Sequence, residues 1–304
     1  MSAAGQTNPG RGYVAAAAAF AIWGIFPLYF HALHQIPALQ VICHRVVWSC
    51  VFVLGLMAFR GELESVRAAL TNRGVVLRLT ATATLITLNW LAYVWGVMNG
   101  RVVETSLGYF IGPLVNVLLG VALLRERLTP AQWTAVALAT LGVGYLTVMA
   151  GGLPWIALTL ALSFASYGLL RKVVKVDSLP GLATETLLLA PFAAGYLLWS
   201  ESTGVGALGH SGFVINTMLI FSGPLTAITL FLFAYGTRQL PYSTVGVLQY
   251  IAPSLQFACG VFVLHEPFDH ARAIGFAVIW SALIIYAGEG LRLSRKQQAR
   301  TVTA

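Results

Sequence analysis

The sequence predicts an all-α integral membrane protein, with ten transmembrane helices arranged as two inverted five-helix repeats around a central cavity. Three observations carry this expectation. Of 304 residues, 58% are hydrophobic and only 9% are charged, whereas a water-soluble chain carries about 25% charged residues. Ten stretches are apolar for about 20 residues each, the length an α-helix needs to cross the hydrocarbon core. The chain also resembles itself when shifted by 140 residues.

The ten stretches run over about residues 13–33, 38–59, 75–97, 102–123, 130–149, 153–171, 180–200, 213–234, 241–264 and 270–291. The first has a single basic residue, Arg11, before it and no small-residue cleavage site after it, so it reads as a span and not as a signal peptide. Short connections leave no room for a separate soluble domain. If the N-terminus is cytoplasmic, then Arg11, Arg60, Arg67, Arg73, Arg78, Arg125, Arg127, Arg171, Lys172, Lys175, Arg238, Arg292, Arg295, Lys296 and Arg300 all fall on the inner side. That leaves Arg101 and Arg272 outside and Arg45 within the second span. Such a bias sets orientation, and both termini are expected in the cytoplasm. The net charge of +8 is therefore a topology signal, and nucleic acid is not an expected partner.

The repeat aligns Glu104–Tyr145 with Thr244–Ile285 without a gap: Phe110-Ile111-Gly112-Pro113 falls on Tyr250-Ile251-Ala252-Pro253, Gly120 on Gly260, and Glu126 on Glu266. A second match, Thr87-Leu88 with Ala92-Tyr93 against Thr229-Leu230 with Ala234-Tyr235, needs a shift of 142. Five spans per half force the second half to enter the membrane from the opposite side. The expected organisation is a cytoplasmic segment 1–12, a first repeat 13–149, an inverted second repeat 153–291 and a basic cytoplasmic tail 292–304. Inverted repeats of this kind are common in secondary transporters, whose sites lie near mid-bilayer.

No GxxxxGK[ST], nucleophile elbow or HExxH occurs, so neither an ATP-driven pump nor a hydrolase is expected, and no enzyme activity is assigned. Cys43, Cys50 and Cys259 lie in apolar runs without zinc or CxxC spacing and read as small core residues. His31/His34 and His265/His270 lack a third ligand. No metal and no cofactor is expected.

Function must then rest on polar and aromatic residues at membrane depth, which are costly unless they face the protein interior or water. Asn89 and Tyr93 lie one turn apart in the third span, with Trp90 beside them. Thr105, Tyr109 and Asn116 recur at helical spacing around Pro113 in the fourth, and Gln249 and Gln256 hold the repeat-related places near Pro253 in the ninth. These stripes suit either interhelical hydrogen bonds or the lining of a cavity. Pro113 and Pro253 free backbone carbonyls and suit either gates or simple packing.

His44, Arg45 and Trp48 cluster in the second span, and Glu185 lies near the start of the seventh. An ionised group at mid-membrane costs about 2.5 to 3.5 kcal/mol, so an Arg45–Glu185 ion pair is expected, with proton carriage by Glu185 as the alternative. Glu104 reads as a solvated residue at the outer interface, whereas Glu126 and Glu266 read as caps or braces of helix hairpins. Trp133, Trp155 and Trp199 belong by position to the interfacial belt. Trp23, Trp48, Trp90, Tyr93, Tyr109, Tyr167 and Tyr250 lie deeper. A cavity walled by these rings suits flat or apolar solutes, with tyrosine hydroxyls, Asn89 and Gln249 available to a carboxylate or amine. Gly96/Gly100 and Gly108/Gly112 have the spacing that lets helices approach closely.

Several runs make the chain resemble the EamA branch of the drug/metabolite transporter superfamily, within it the RarD-like and YddG-like proteins. They are Trp23-Gly24 with Pro27 and Tyr29, His44-Arg45 with Trp48-Ser49, Asn89-Trp90-Leu91 with Tyr93-Val94-Trp95, and Ser106 to Ile111 with Pro113-Leu114. Glu126-Arg127-Leu128 with Gln132-Trp133, Ser163-Phe164 with Tyr167-Gly168, and Gln249-Tyr250-Ile251 with Pro253 complete the likeness, over about residues 12 to 293. The resemblance implies ten helices in two inverted halves, a bacterial inner-membrane location and a cavity open alternately to either side. It also implies export of amino acids, aromatic ones among them, or of related metabolites and drugs. The expected partners are a small-molecule substrate and the lipid bilayer, with the chain a monomer or weak homo-oligomer.

Overall fold

The computed structural model describes residues 9–124, 128–149, 151–174, 176–240 and 248–302. Among them every regular element is helical and none is a strand. Eleven helices follow one another among the described residues: α1 (Pro9–His31), α2 (Ala38–Phe59), α3 (Leu63–Thr71), α4 (Arg73–Met98), α5 (Val102–Leu124), α6 (Pro130–Met149), α7 (Trp155–Val173), α8 (Ser178–Ser202), α9 (Gly212–Gln239), α10 (Ile251–Ala258, continued by a π turn over Cys259–Val263) and α11 (His270–Val302). Each of the ten predicted stretches overlaps a helix. Among the described residues seven are long and apolar enough to cross a membrane, and Val102–Val115, Trp155–Arg171 and Ile251–Val263 are shorter apolar helices. The chain is an all-α integral membrane protein.

Helix boundaries follow from local chemistry. Pro9 opens α1, where its missing N–H costs nothing. The chain leaves α2 through Gly61, whose φ of +68° is open to glycine, and enters the short amphipathic α3, which buries Val66 and Ala69. This segment falls in an expected connection, because nine residues are too few to give a span signal. Asn72 caps α4, its Oδ1 accepting from the Gly74 and Val75 amides at 3.0 and 3.2 Å. Thr129 and Gln132 form a reciprocal capping box at the start of α6.

Two carboxylates cap helices far away in sequence. Glu266 accepts from the Val102 and Val103 amides at 2.5 and 2.8 Å, closing the N-terminus of α5. The π turn ahead of it, and His265 at φ 53°, deliver Glu266 to that position. Glu104, expected to be merely solvated, accepts from the Ile156 amide at 3.1 Å at the start of α7. Glu126, Arg125, Arg127, Lys175 and Thr244 lie outside the described residues, as do the side chains of Asn116, Lys172, Arg238, Arg295, Lys296 and Arg300.

By contact the chain divides into two compact units. One comprises residues 1–25, 101–162 and 232–304, the other residues 26–100 and 163–231. Each unit draws segments from both halves of the sequence. In the first, α6 and α11 pack closely: a Cβ on Gly142 would lie 2.7 Å from Ile279, and one on Gly275 would lie 2.4 Å from Leu146. Phe110, Phe257, Phe268, Phe276 and Trp280 form an edge-on aromatic cluster beside them. Gly108 also meets a helix, at Ala157 and Leu160, but Gly112 faces open space and Gly100 serves a turn at φ +66°. Tight small-residue packing of this kind replaces the hydrophobic drive that lipid removes.

In the second unit, Val53, Met57, Val66, Leu182, Ala183 and Ala227 share a core, and α9 crosses α2 at Gly223. A Cβ there would lie 2.3 Å from the Trp48 carbonyl carbon and 2.4 Å from the Ser49 nitrogen. Backbone atoms cannot swing aside, so Gly223→Val is expected to lower the thermal unfolding midpoint of the detergent-solubilised protein, at a cost of about 1 to 3 kcal/mol or more. Gly144→Ala, where nothing lies within 4 Å, should leave the midpoint unchanged or raise it slightly.

Candidate functional site

In the second unit, residues 26–100 and 163–231, α4 brings Asn89, Trp90 and Tyr93 to one buried face. Asn89 Nδ2 donates to Ser163 Oγ of α7 at 3.0 Å. Tyr93 meets Phe30 edge to face, with ring centroids 6.0 Å apart. Beneath Trp90 lies the guanidinium of Arg45, 4.1 Å from the indole centroid and 5.6 and 5.8 Å from the rings of Phe30 and Phe26. Arg45 Nε donates to Thr226 Oγ1 at 2.8 Å, and that hydroxyl donates onward to the Ser222 carbonyl at 2.8 Å. A buried cation is thus held by three π faces and a hydroxyl. Tyr29 donates its hydroxyl to the Met218 carbonyl in the same unit.

The two members of the expected Arg45–Glu185 pair have other partners. Glu185 accepts from Thr82 Oγ1 at 2.6 Å and from the Tyr167 hydroxyl at 3.5 Å, and its Oε1 lies 3.8 Å from Arg171 Nη1. Glu185 lies seven residues past the start of α8 and Arg171 two residues before the end of α7, so both lie close to the same short connection between the two helices.

His44 and Trp48 continue the α2 face, His44 buried and Trp48 half-buried. Among the described residues, neither ring nitrogen of His44 nor the Trp48 indole N–H has a hydrogen-bond partner. Gln40, one turn earlier, donates to the Val205 carbonyl at 2.7 Å.

In the first unit, residues 1–25, 101–162 and 232–304, Trp23 packs with Phe20 and Phe233 at ring separations of 5.7 and 5.4 Å, and its carbonyl accepts from Gln256 Nε2 at 3.1 Å. Thr105 turns back to the Val102 carbonyl at 2.8 Å. Pro113 and Pro253 are buried within α5 and α10, while Tyr109, Gln249 and Tyr250 are half-buried. Tyr250 packs against the α6 and α11 core.

Sequence reasoning missed Phe26, Phe30, Thr82, Ser163, Arg171 and Thr226. Phe26 and Phe30 did offer a signal, being aromatic and one turn apart. The others depend on helix rotation, which spacing within one helix does not reveal. Among the described residues no three His, Cys, Asp or Glu side chains converge as a metal site.

A helical bundle spanning the membrane, with polar and aromatic side chains gathered at membrane depth, is the framework of a transporter. Residues 10–148 match the EamA-like transporter family. The chain is 43% identical to an "Uncharacterized transporter" of Pseudomonas aeruginosa, over 95% of this chain and 97% of that one. It is 40% identical to "Protein RarD" of Streptomyces exfoliatus, over 94% of this chain and 91% of that one. It is also 32% identical to the "Chloramphenicol-sensitive protein RarD" of Pseudomonas aeruginosa, over 96% and 99% of the two chains. A solved crystal structure at 18% identity, TM-score 0.59, covering 91% of this chain and 97% of its own, shares the fold. The chain belongs to the EamA-like transporter family of the drug/metabolite transporter superfamily and is RarD-like.

The aromatic cage makes its own prediction. Arg45→Met and Trp90→Leu are each expected to destabilise the solubilised protein, and the double variant should reveal a coupling on the order of 1 to 2 kcal/mol. Strict additivity in unfolding measurements would show that the cage carries no interaction energy.

Proposed function

We propose that this membrane transporter is a secondary carrier of the bacterial inner membrane that exports amino acids, aromatic and other neutral ones, by alternating access through a midplane cavity. Residues 13–149 and 153–291 act as the two inverted repeats, both termini face the cytoplasm, and the helices of Pro113 and Pro253 act as gates. The observation that carries this reading is the buried face of Asn89, Trp90 and Tyr93, with Ser163 opposite Asn89 at 3.0 Å. An amide and hydroxyls beside flat rings offer hydrogen bonds to an amino-acid backbone and stacking to an aromatic side chain. His44, Trp48 and Tyr167 are candidates in that same unit, and Trp23, Tyr109, Gln249 and Tyr250 are candidates elsewhere in the chain. The Trp23 ring, packed with Phe20 and Phe233, is the weakest of these.

A second reading, movement of another small metabolite or drug on the same framework, is favoured by one relative's name, "Chloramphenicol-sensitive protein RarD". Its family supports transport and gives no reason to assign an enzyme activity.

Proteoliposomes containing the full chain, loaded with labelled phenylalanine or threonine, should show saturable counterflow above empty vesicles. Asn89→Leu and Tyr109→Ala should each reduce it about tenfold or more, while Trp133→Ala, at a site 51% exposed, should change it less than twofold. Absence of counterflow for every amino acid, with flux of chloramphenicol or another solute, would move the assignment to the second reading. Equal losses at Asn89, Tyr109 and Trp133 would remove the site.

A further inference from the structure

Resting on the reading above as a secondary transporter, we propose that Glu185 is a proton-binding site whose charge state docks or releases Arg171, coupling solute movement to a proton. Glu185 is 1% exposed and lies seven residues into α8, about 10 Å along the helix from Ser178. A carboxylate there is costly unless its charge is met or removed.

The partners of Glu185 suit both forms of the carboxyl group. Thr82 Oγ1 lies 2.6 Å from Glu185 Oε1 and 3.0 Å from the Leu79 carbonyl of its own helix. A threonine hydroxyl has one hydrogen and two lone pairs. With Glu185 ionised, that hydrogen goes to the carboxylate. With Glu185 protonated, the new O–H donates to Thr82 Oγ1, and the threonine hydrogen turns to the Leu79 carbonyl. The carboxyl group and the threonine hydroxyl each keep a hydrogen-bond partner in either state.

Arg171 is placed to leave. A permanent buried Arg–carboxylate pair is normally bidentate at about 2.7 to 2.9 Å, but here the approach is 3.8 Å, and Arg171 Nη1 makes no hydrogen bond. The guanidinium rests on Gly181, where a Cβ would lie 2.3 Å from Nη1, and Nη2 donates to the Asp177 carbonyl at 3.4 Å. Arg171 is two residues before the end of α7 and its side chain is 15% exposed. Once Glu185 is neutral, a long arginine at a helix end can extend to the interface without leaving a buried charge unpaired.

Among the described residues, the charged and titratable groups acting on Glu185 are Arg171 and Tyr167, both of α7. From α4 it meets only the neutral Thr82. From α2, Cys50 faces the adjoining Thr186, and Glu64 and Arg67 of α3 are about four-fifths exposed. The proton step is a simple exchange: a hydronium ion gives a proton to Oε1, one hydronium O–H bond breaks as the carboxyl O–H forms, water is released, and Arg171 loses its counter-charge. Transfer of that proton back to water regenerates hydronium and the carboxylate.

Infrared pH titration of the full chain in lipid tests proton binding without any transported solute. A protonated-carboxyl C=O band that disappears in Glu185→Gln is expected, and in Arg171→Gln the same band should appear at higher pH, because the cation favouring the ionised form is gone. Absence of such a band in the parent, or its persistence in Glu185→Gln, overturns the proposal even if no amino acid is transported. If Glu185→Gln does not fold, an unshifted titration in Arg171→Gln overturns it. In proteoliposomes, Glu185→Gln should keep phenylalanine counterflow within about twofold and lose pH-gradient-driven accumulation by tenfold or more. Retained accumulation, or loss of both activities in a folded variant, overturns the coupling. Absence of counterflow in the parent instead overturns the amino-acid reading on which it rests.

Discussion

Lipid offers no hydrogen bonds, so a polar group that this chain carries to membrane depth is costly unless it finds a partner within the protein. The described structure is arranged around that constraint. Glu266 and Glu104 close the starts of helices that lie far from them in sequence. Arg45 is met by Thr226 and three aromatic rings. Glu185 has two hydroxyls and a more distant arginine. Each device fixes a helix contact, so the polar groups specify which helices meet while small residues set how closely.

The same constraint decides what could be read from sequence. Apolar length is a local property, so the seven long spans were legible, as was the capping role of Glu266. The amphipathic α3 was not, because only Val66 and Ala69 turn inward over its nine residues. Glu104 looked like a solvated interfacial residue because its acceptor role depends on the start of α7, about fifty residues later. For Arg45 and Glu185 the sequence showed two opposite charges within apolar spans but not the helix rotations that bring Trp90 and Thr226 to one and Arg171 to the other. The glycine pairs divide for the same reason: Gly108 meets a neighbouring helix while Gly112 does not.

Compactness in space does not follow order along the chain. Each of the two units combines segments from both halves of the sequence, and three of the four divisions fall inside helices, in α1, α7 and α9, while the fourth falls between α4 and α5. A chain built as two tandem soluble domains would divide between helices, in a linker. Here sequence repeat and compact unit are different partitions of the same residues. Within one unit sit Asn89, Trp90, Tyr93 and Ser163, together with the Glu185–Arg171 pair, so a candidate solute face and a candidate proton site share one packed framework.

The central claim is that a solute changes which side of the membrane can reach the interior of this protein. Replacing the buried Cys43, Cys50 and Cys259 by alanine gives a background in which single cysteines at Ser163 and Gln249 can be labelled with a membrane-impermeant maleimide from either face of oriented vesicles. The account predicts that saturating transported solute raises labelling from one face and lowers it from the other. Labelling that is the same from both faces in every condition would contradict it.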